Sequence, residues 1–344
     1  MASLAQQQRV LVEQQRRAQV GVQAGFLAEF LAAWGLLRTD DLDAATPGWL
    51  RLVMRLIRAF RQESADSSLN SYRELRRLAL PDPELDAPHV QFNLGDLAAL
   101  ERRITREVRS SGGGQSRPSV PGRFTRETVP RTDGQQPGIT IHWDRADRAA
   151  ETTLRVTGPI NIKARIARGE GPERAKRNAL VEASGAASRH VLNGGRSTQL
   201  ALVQNDRAAL GWVRVTDGNP CAFCAMLASR GVTWGPYAKS SFAKADAKFS
   251  GKTFEAEHDN DPRIVGRGEV KVHDGCGCGI ALVFRRDDPL LDQGKQYRQL
   301  WDQHIKGRYG GEDAIRAWRR LHERPEVFAR KAAEASPRRN RRAA

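Results

Sequence analysis

Apolar residues recur at helical spacing through the first eighty positions of the chain. Phe26, Leu27, Phe30, Leu31 and Trp34 form one such stripe and predict an amphipathic helix over residues 4–37. Its Gln- and Arg-rich beginning is polar and is expected to fray. Thr46-Pro47 reads as a second helix start, with an N-cap hydroxyl and a proline whose missing N–H costs nothing in a first turn. From it run Trp49, Leu50, Val53, Met54, Ile57 and Phe60. A third set, Leu69, Tyr72, Leu75 and Leu78, stops before Pro81 and Pro83. The spacing leaves open whether these two sets lie on one helix or two. Residues 1–80 are expected to form a helical N-terminal domain, with Phe26, Trp34, Trp49 and Phe60 in its core.

Residues 81–138 read as a linker with one short helix at 96–109, capped by Asp96 and turning Leu97, Leu100, Ile104 and Val108 inward. Residues 110–138 are too rich in Gly, Pro, Ser and Arg to bury a face. Their triple glycine has no strand before it and no helix after it, which excludes a phosphate loop. Order resumes near Ile139. A helix is expected over 145–157, broken at Gly158-Pro159. Another should run from Pro172 to Leu192 and stop at Asn193-Gly194-Gly195, with Ser197 capping a further helix that ends at Leu210. Trp212 to Val215 alternate as a strand, and 279–284 (GIALVF) read as a buried one. Between them, 229–272 reads as loops and short strands. Residues 290–335 are helical in pattern, with Leu300, Trp301, Ile305, Ile315, Trp318 and Leu321, and end in a basic tail. The fold class is α+β, mostly helical, with a small β-containing domain over 139–288 and a basic helical tail over 289–344.

Composition narrows the partners. The 344 residues are 40% hydrophobic, with a mean hydropathy of -0.57. No apolar run has bilayer length and the start lacks a signal-peptide core, so the expectation is a cytoplasmic site of synthesis and no membrane partner. A net charge of +16 and an isoelectric point near 10.4 point to nucleic acid. Arg117, Arg123, Arg126 and Arg131 in the linker and Arg338, Arg339, Arg341 and Arg342 in the tail suit phosphate contact without sequence readout.

All four cysteines fall between 221 and 278, in two tight pairs. Cys221-Ala222-Phe223-Cys224 is a C-x-x-C knuckle that can turn two thiolates toward one ion. Some fifty residues later comes His273-Asp274-Gly275-Cys276-Gly277-Cys278-Gly279. Residues two apart on a strand share a face but stand too far apart to chelate, and the flanking glycines allow the backbone to fold inward. Softness and ligand number favour zinc, and four protein ligands would close the site, which makes it structural. Five candidates compete for four places. Either Cys221, Cys224, His273 and Cys276 bind, or all four cysteines bind and His273 supports a ligand from outside the coordination sphere. A redox dithiol at Cys221/Cys224 would leave the second pair unexplained, and the close C-x-C disfavours an iron–sulfur cluster.

The stretch from Gly195 to Tyr237, followed by 272–279 (VHDGCGCG), resembles the MuF-type minor head proteins of tailed bacteriophages, in flavour closest to actinobacteriophage forms. Their mark is a helix, a short strand, C-x-x-C and an H-x-x-C-x-C ending. Members usually read H-P-N-C-R-C, where this chain has Asp274-Gly275 and Gly277. The resemblance covers roughly 140–285. It implies a role in head morphogenesis in a few copies near the portal, with portal, major capsid and scaffold proteins as partners. It also implies residence in the virion after assembly in the host cytoplasm.

Proteins of this kind are sometimes labelled capsid maturation proteases, and that activity is the alternative. Of the histidines outside the cysteine cluster, His190 lies two residues from Ser188, which on a helix turns them different ways. No G-x-S-x-G elbow occurs, and 258–261 (HDND) reads as a solvated turn. The expectation is therefore an assembly protein and not an enzyme.

Overall fold

The computed structural model describes residues 3–84, 87–110, 138–216, 220–229, 233–234, 277–285 and 287–326. Helix α1 spans Leu4–Trp34 and α2 spans Leu42–Ala79. The start of α1 is not frayed. Ser3 and Gln6 form a capping box that satisfies two amides at the helix end. The Thr46-Pro47 start is also corrected: Asp41 caps α2, accepting from the Ala44 amide, and Pro47 sits in the second turn. The second and third apolar sets lie on this one helix.

Strand β1 (His89–Asn93) follows, then α3 (Leu97–Ser110) and β2 (Gly138–His142). Asp96 caps α3 through the Ala99 amide at 3.0 Å, as its sequence suggests. Leu100 and Ile104 are buried, whereas Leu97 is partly exposed. β1 and β2 pair in parallel, with Val90 opposite Ile139. β1 escaped the sequence reading because it is short and its neighbours are prolines. The linker residues 111–137 and the basic tail from 327 onward lie outside the described residues.

Helix α4 (Asp144–Arg155) runs through a π-turn, Val156–Ile160, into α5 (Asn161–Ala167). The chain kinks at Gly158, as Gly158-Pro159 predicts, with φ -95° and ψ -107°. Trp49 packs where a Cβ on Gly158 would lie.

The expected break at Asn193-Gly194-Gly195 does not occur. Helix α6 is continuous from Pro172 to Asn205 and carries Ser197 in its interior. Its glycines serve a helix crossing. A Cβ on Gly194 would stand 2.2 Å from the Arg61 carbonyl oxygen, and one on Gly195 would stand 2.3 Å from Ser68 Oγ. Glycine therefore lets α6 meet the backbone of α2 directly, and this pair makes the most extensive contact in the fold.

Two cores lie along that pair. In the first, Phe26, Phe30 and Trp34 pack with Trp49, Val53, Ile57, Leu154 and an alanine-rich face of α6, Ala179 to Ala187. Residues 1–80 thus share their core with residues 150–191. In the second, Leu69, Tyr72 and Leu75 pack with Leu202, Val203 and the strands. Strand β3 (Gly211–Val215) is flanked by the two-residue β4 (Thr233–Trp234) and by β5 (Gly279–Val283), both antiparallel to it. Both long strand predictions are met. Between them stands α7 (Ala222–Ala228), and at the end lie α8 (Asp292–His304) and α9 (Gly311–Glu323). The fold is α+β and mostly helical. Among the described residues no helix is long and apolar enough to cross a membrane.

Buried charges fix the helices in place. Arg61 Nη1 pairs with Asp147 at 2.6 Å while its Nε donates to the His190 carbonyl at 3.1 Å. Farther along α2, Arg76 and the Tyr72 hydroxyl both donate to Asp206.

Candidate metal centre

β3 and β5 are in register with Val215 opposite Gly279. Cys278, one residue before β5, therefore sits at the sheet end from which the chain leaves β3 toward Cys221. Cys221 caps α7 with extended backbone angles (φ -64°, ψ 162°), and its Sγ accepts from the Cys224 amide at 3.4 Å. A cysteine thus takes the place that serine or aspartate usually holds at a helix start. The turn carries Cys224 inward, where it is fully buried.

Cys224, Cys278 and Ile280 form one buried cluster, with Cys221, Phe223, Leu200 and Trp212 packed against it. Three of the five sequence candidates thus come together. His273 and Cys276 lie outside the described residues. Among the described residues no group of three His, Cys, Asp or Glu side chains is arranged to hold a metal. The chemistry of the donors fits zinc: soft thiols, in an apolar pocket, from a knuckle and a strand end. A closed site would take Cys221 and Cys224 with two of His273, Cys276 and Cys278.

Supporting residues that sequence reasoning missed surround this cluster. Arg196, buried on α6, donates from Nε (3.1 Å) and Nη2 (2.9 Å) to the Cys278 carbonyl. It fixes the backbone at one cysteine. On the other side, α8 and α9 clamp α7. Ala222, Ala225 and Met226 pack against Ile305, Ala314, Ala317 and Trp318. Trp318 Nε1 donates to the Ala222 carbonyl at 2.7 Å, and His322 Nε2 lies 2.6 Å from the Pro220 carbonyl. The expected tail is, through Glu323, part of the support for the C-x-x-C turn. A buried tryptophan usually finds an acceptor for its N–H, but nothing in the sequence says which.

The candidates for catalysis fare differently. Ser188 and His190 are both buried on α6. Neither Ser188 Oγ nor His190 Nε2 has a hydrogen-bond partner among the described residues. Burial, reinforced by Arg189 and Arg61, pushes the His190 imidazole well below its usual range, so it stays neutral. His89 and His142 sit exposed on the parallel strands, and His258 lies outside the described residues.

No curated protein and no solved structure matches the chain. Residues 143–304 match the family model described as VG15 protein, a phage-associated family. The match begins at the threshold of α4 and ends with α8, so it takes in all five candidate ligands and Arg196 and leaves out α1, α2 and α9. Over that stretch the chain is similar to a phage protein.

Proposed function

We propose that the protein is a minor head protein of a tailed phage that acts in head morphogenesis as a structural component near the portal. The observation that carries this reading is the buried cysteine cluster, backed by Arg196 on one side and α8 and α9 on the other, within the stretch that matches the phage family. Such a cluster is built to hold a fold together. A zinc ion bound there by Cys221, Cys224 and two of His273, Cys276 and Cys278 would supply folding free energy, because the site does not preexist in the unfolded chain. The chain's own residues orient the donors: Arg196 holds the Cys278 carbonyl, and Trp318 and His322 hold the backbone of the knuckle. Burial of Ser188 and His190 supports assembly over proteolysis, the alternative. The portal, the major capsid protein and the scaffold are the proposed partners, together with phage DNA through phosphate contacts.

Cross-linking mass spectrometry on purified virions and on heads arrested before DNA entry tests the role. Cross-links to the portal in both particles are expected. Absence from both, or cleavage of capsid protein that is lost in His190→Ala or His258→Ala, would move the assignment to the protease.

A further inference from the structure

The two halves of α1 are held by different forces. From Val22 onward the helix buries Phe26, Phe30, Ala33 and Trp34 in the first core. Before Val22 the one buried residue is Gln8, and Leu11 and Val12 are only partly covered. Among the described residues, the polar contacts from there to the rest of the fold are amide hydrogen bonds and one exposed ion pair, Arg9 to Asp292 at 2.9 Å. Gln8 Nε2 donates to Asp288 at 3.4 Å, Gln15 Nε2 to Ser68 Oγ at 2.8 Å, and Gln19 Nε2 to the Ser64 carbonyl at 3.0 Å. Ser67 and Ser64 donate back to Gln15 and Gln19. Gln8 Oε1 is buried without a hydrogen-bond partner among the described residues. Hydrogen bonds of this kind are replaced by water at little net cost, whereas the apolar half forfeits its burial when it leaves.

The same segment carries its own helix supports. The Ser3–Gln6 capping box closes its start, and Glu13 pairs with the half-buried Arg16 and the exposed Arg17 of the same helix. Gly21 stands at the boundary between the halves, and an added Cβ there would meet nothing within 4 Å. No packing demands glycine at that position, yet it lowers helix propensity at the one place where the anchorage changes. Beneath the polar half is a small cleft, bounded by Val12, Gln15, Arg16 and Gln19 above and by Arg196, Gln199 and Cys278 below.

We propose that residues 4–20 form a strap that lifts as a unit about Gly21 and uncovers the cleft over Cys278 and β5. This goes beyond the proposed head role and depends on neither that role nor a bound metal. Hydrogen exchange on the full-length protein, read by mass spectrometry, tests it. In the native protein the amides of Gln8 to Gln19 should share one opening rate, about tenfold or more faster than those of Phe26 to Trp34. Gln15→Ala with Gln19→Ala should speed exchange about tenfold again, both in residues 4–20 and in β5 beneath them. Gly21→Ala should slow both by roughly fivefold. Uniform protection along α1 overturns the proposal. So does acceleration confined to residues 4–20, which is what a fraying helix end would give.

Discussion

Glycine-to-alanine changes inside helices ordinarily stabilise, by roughly 0.5–1 kcal/mol, because alanine gives up less backbone freedom on folding. Gly194→Ala should do the reverse. Its Cβ would stand 2.2 Å from the Arg61 carbonyl oxygen and 2.7 Å from Arg61 Cγ, and the closer atom is backbone that cannot rotate away. Relieving the contact requires α2 and α6 to part by about 1 Å, a strain of the kind that costs roughly 1–3 kcal/mol on overpacking. The separation also pulls on the Arg61–Asp147 pair and the bond from Arg61 to the His190 carbonyl, both buried. After the propensity gain is subtracted, a net loss of up to roughly 2.5 kcal/mol remains. Urea denaturation followed by far-ultraviolet circular dichroism measures it as a lower midpoint with unchanged slope. Gly21→Ala is the control, with open space around its Cβ, and should raise the midpoint. A raised midpoint for Gly194→Ala would refute the close crossing and return the glycines to the role of a helix stop.

Four further outcomes are expected. His190 is buried and its pKa is depressed, so below about pH 6.5 the unfolded chain takes up a proton that the folded one refuses. Stability should fall by up to about 1.4 kcal/mol per pH unit from there down to the folded-state pKa, and His190→Gln should flatten that part of a pH series of denaturation curves. Asp206→Asn leaves Arg76 buried without its carboxylate and weakens the acceptor of Tyr72, so a loss of about 3–5 kcal/mol is expected in chemical denaturation. Elemental analysis of protein purified without added metal should find one zinc per chain; a value well below one, with thiols freely titratable in the folded state, would remove the metal from the account. Trp318→Phe, which deletes the bond to the Ala222 carbonyl, should cost about 1 kcal/mol and speed zinc loss to a chelator; unchanged loss would mean that α9 does not steady the knuckle.

Local patterns were readable in the sequence where one face of an element decided its fate. The stripes of α1 and α2, the Asp96 cap, the Gly158 kink and the strands β3 and β5 all follow from spacing or turn chemistry. Tertiary contacts overruled the reading elsewhere. Gly194-Gly195 has the composition of a helix stop, and only the presence of Arg61 and Ser68 on another helix makes it a crossing point. The glutamines of α1 looked too polar for a docked helix because their partners, Ser64, Ser67, Ser68 and Asp288, stand 45 to 280 residues away in the chain. At the cysteines, spacing alone brought the knuckle and the strand end into one hypothesis, and the β3–β5 register supplies the reason they meet. Arg196 and Trp318 act through backbone carbonyls, and a carbonyl leaves no trace in residue types.

The edge of the family match falls inside a hydrophobic core. Residues 143–304 include α6, whose buried alanines at 175, 179, 183 and 187 share one core with Leu154 and Ile162 of the matched stretch and with the aromatic and aliphatic residues of α1 and α2, outside the match. Alanines offer little surface to one another, so this face is a socket and not a self-sufficient core. An excised fragment of this chain, with the socket empty, should aggregate instead of folding. In this chain α1 and α2 therefore plug that socket, and the matched stretch and the helices outside it close one core.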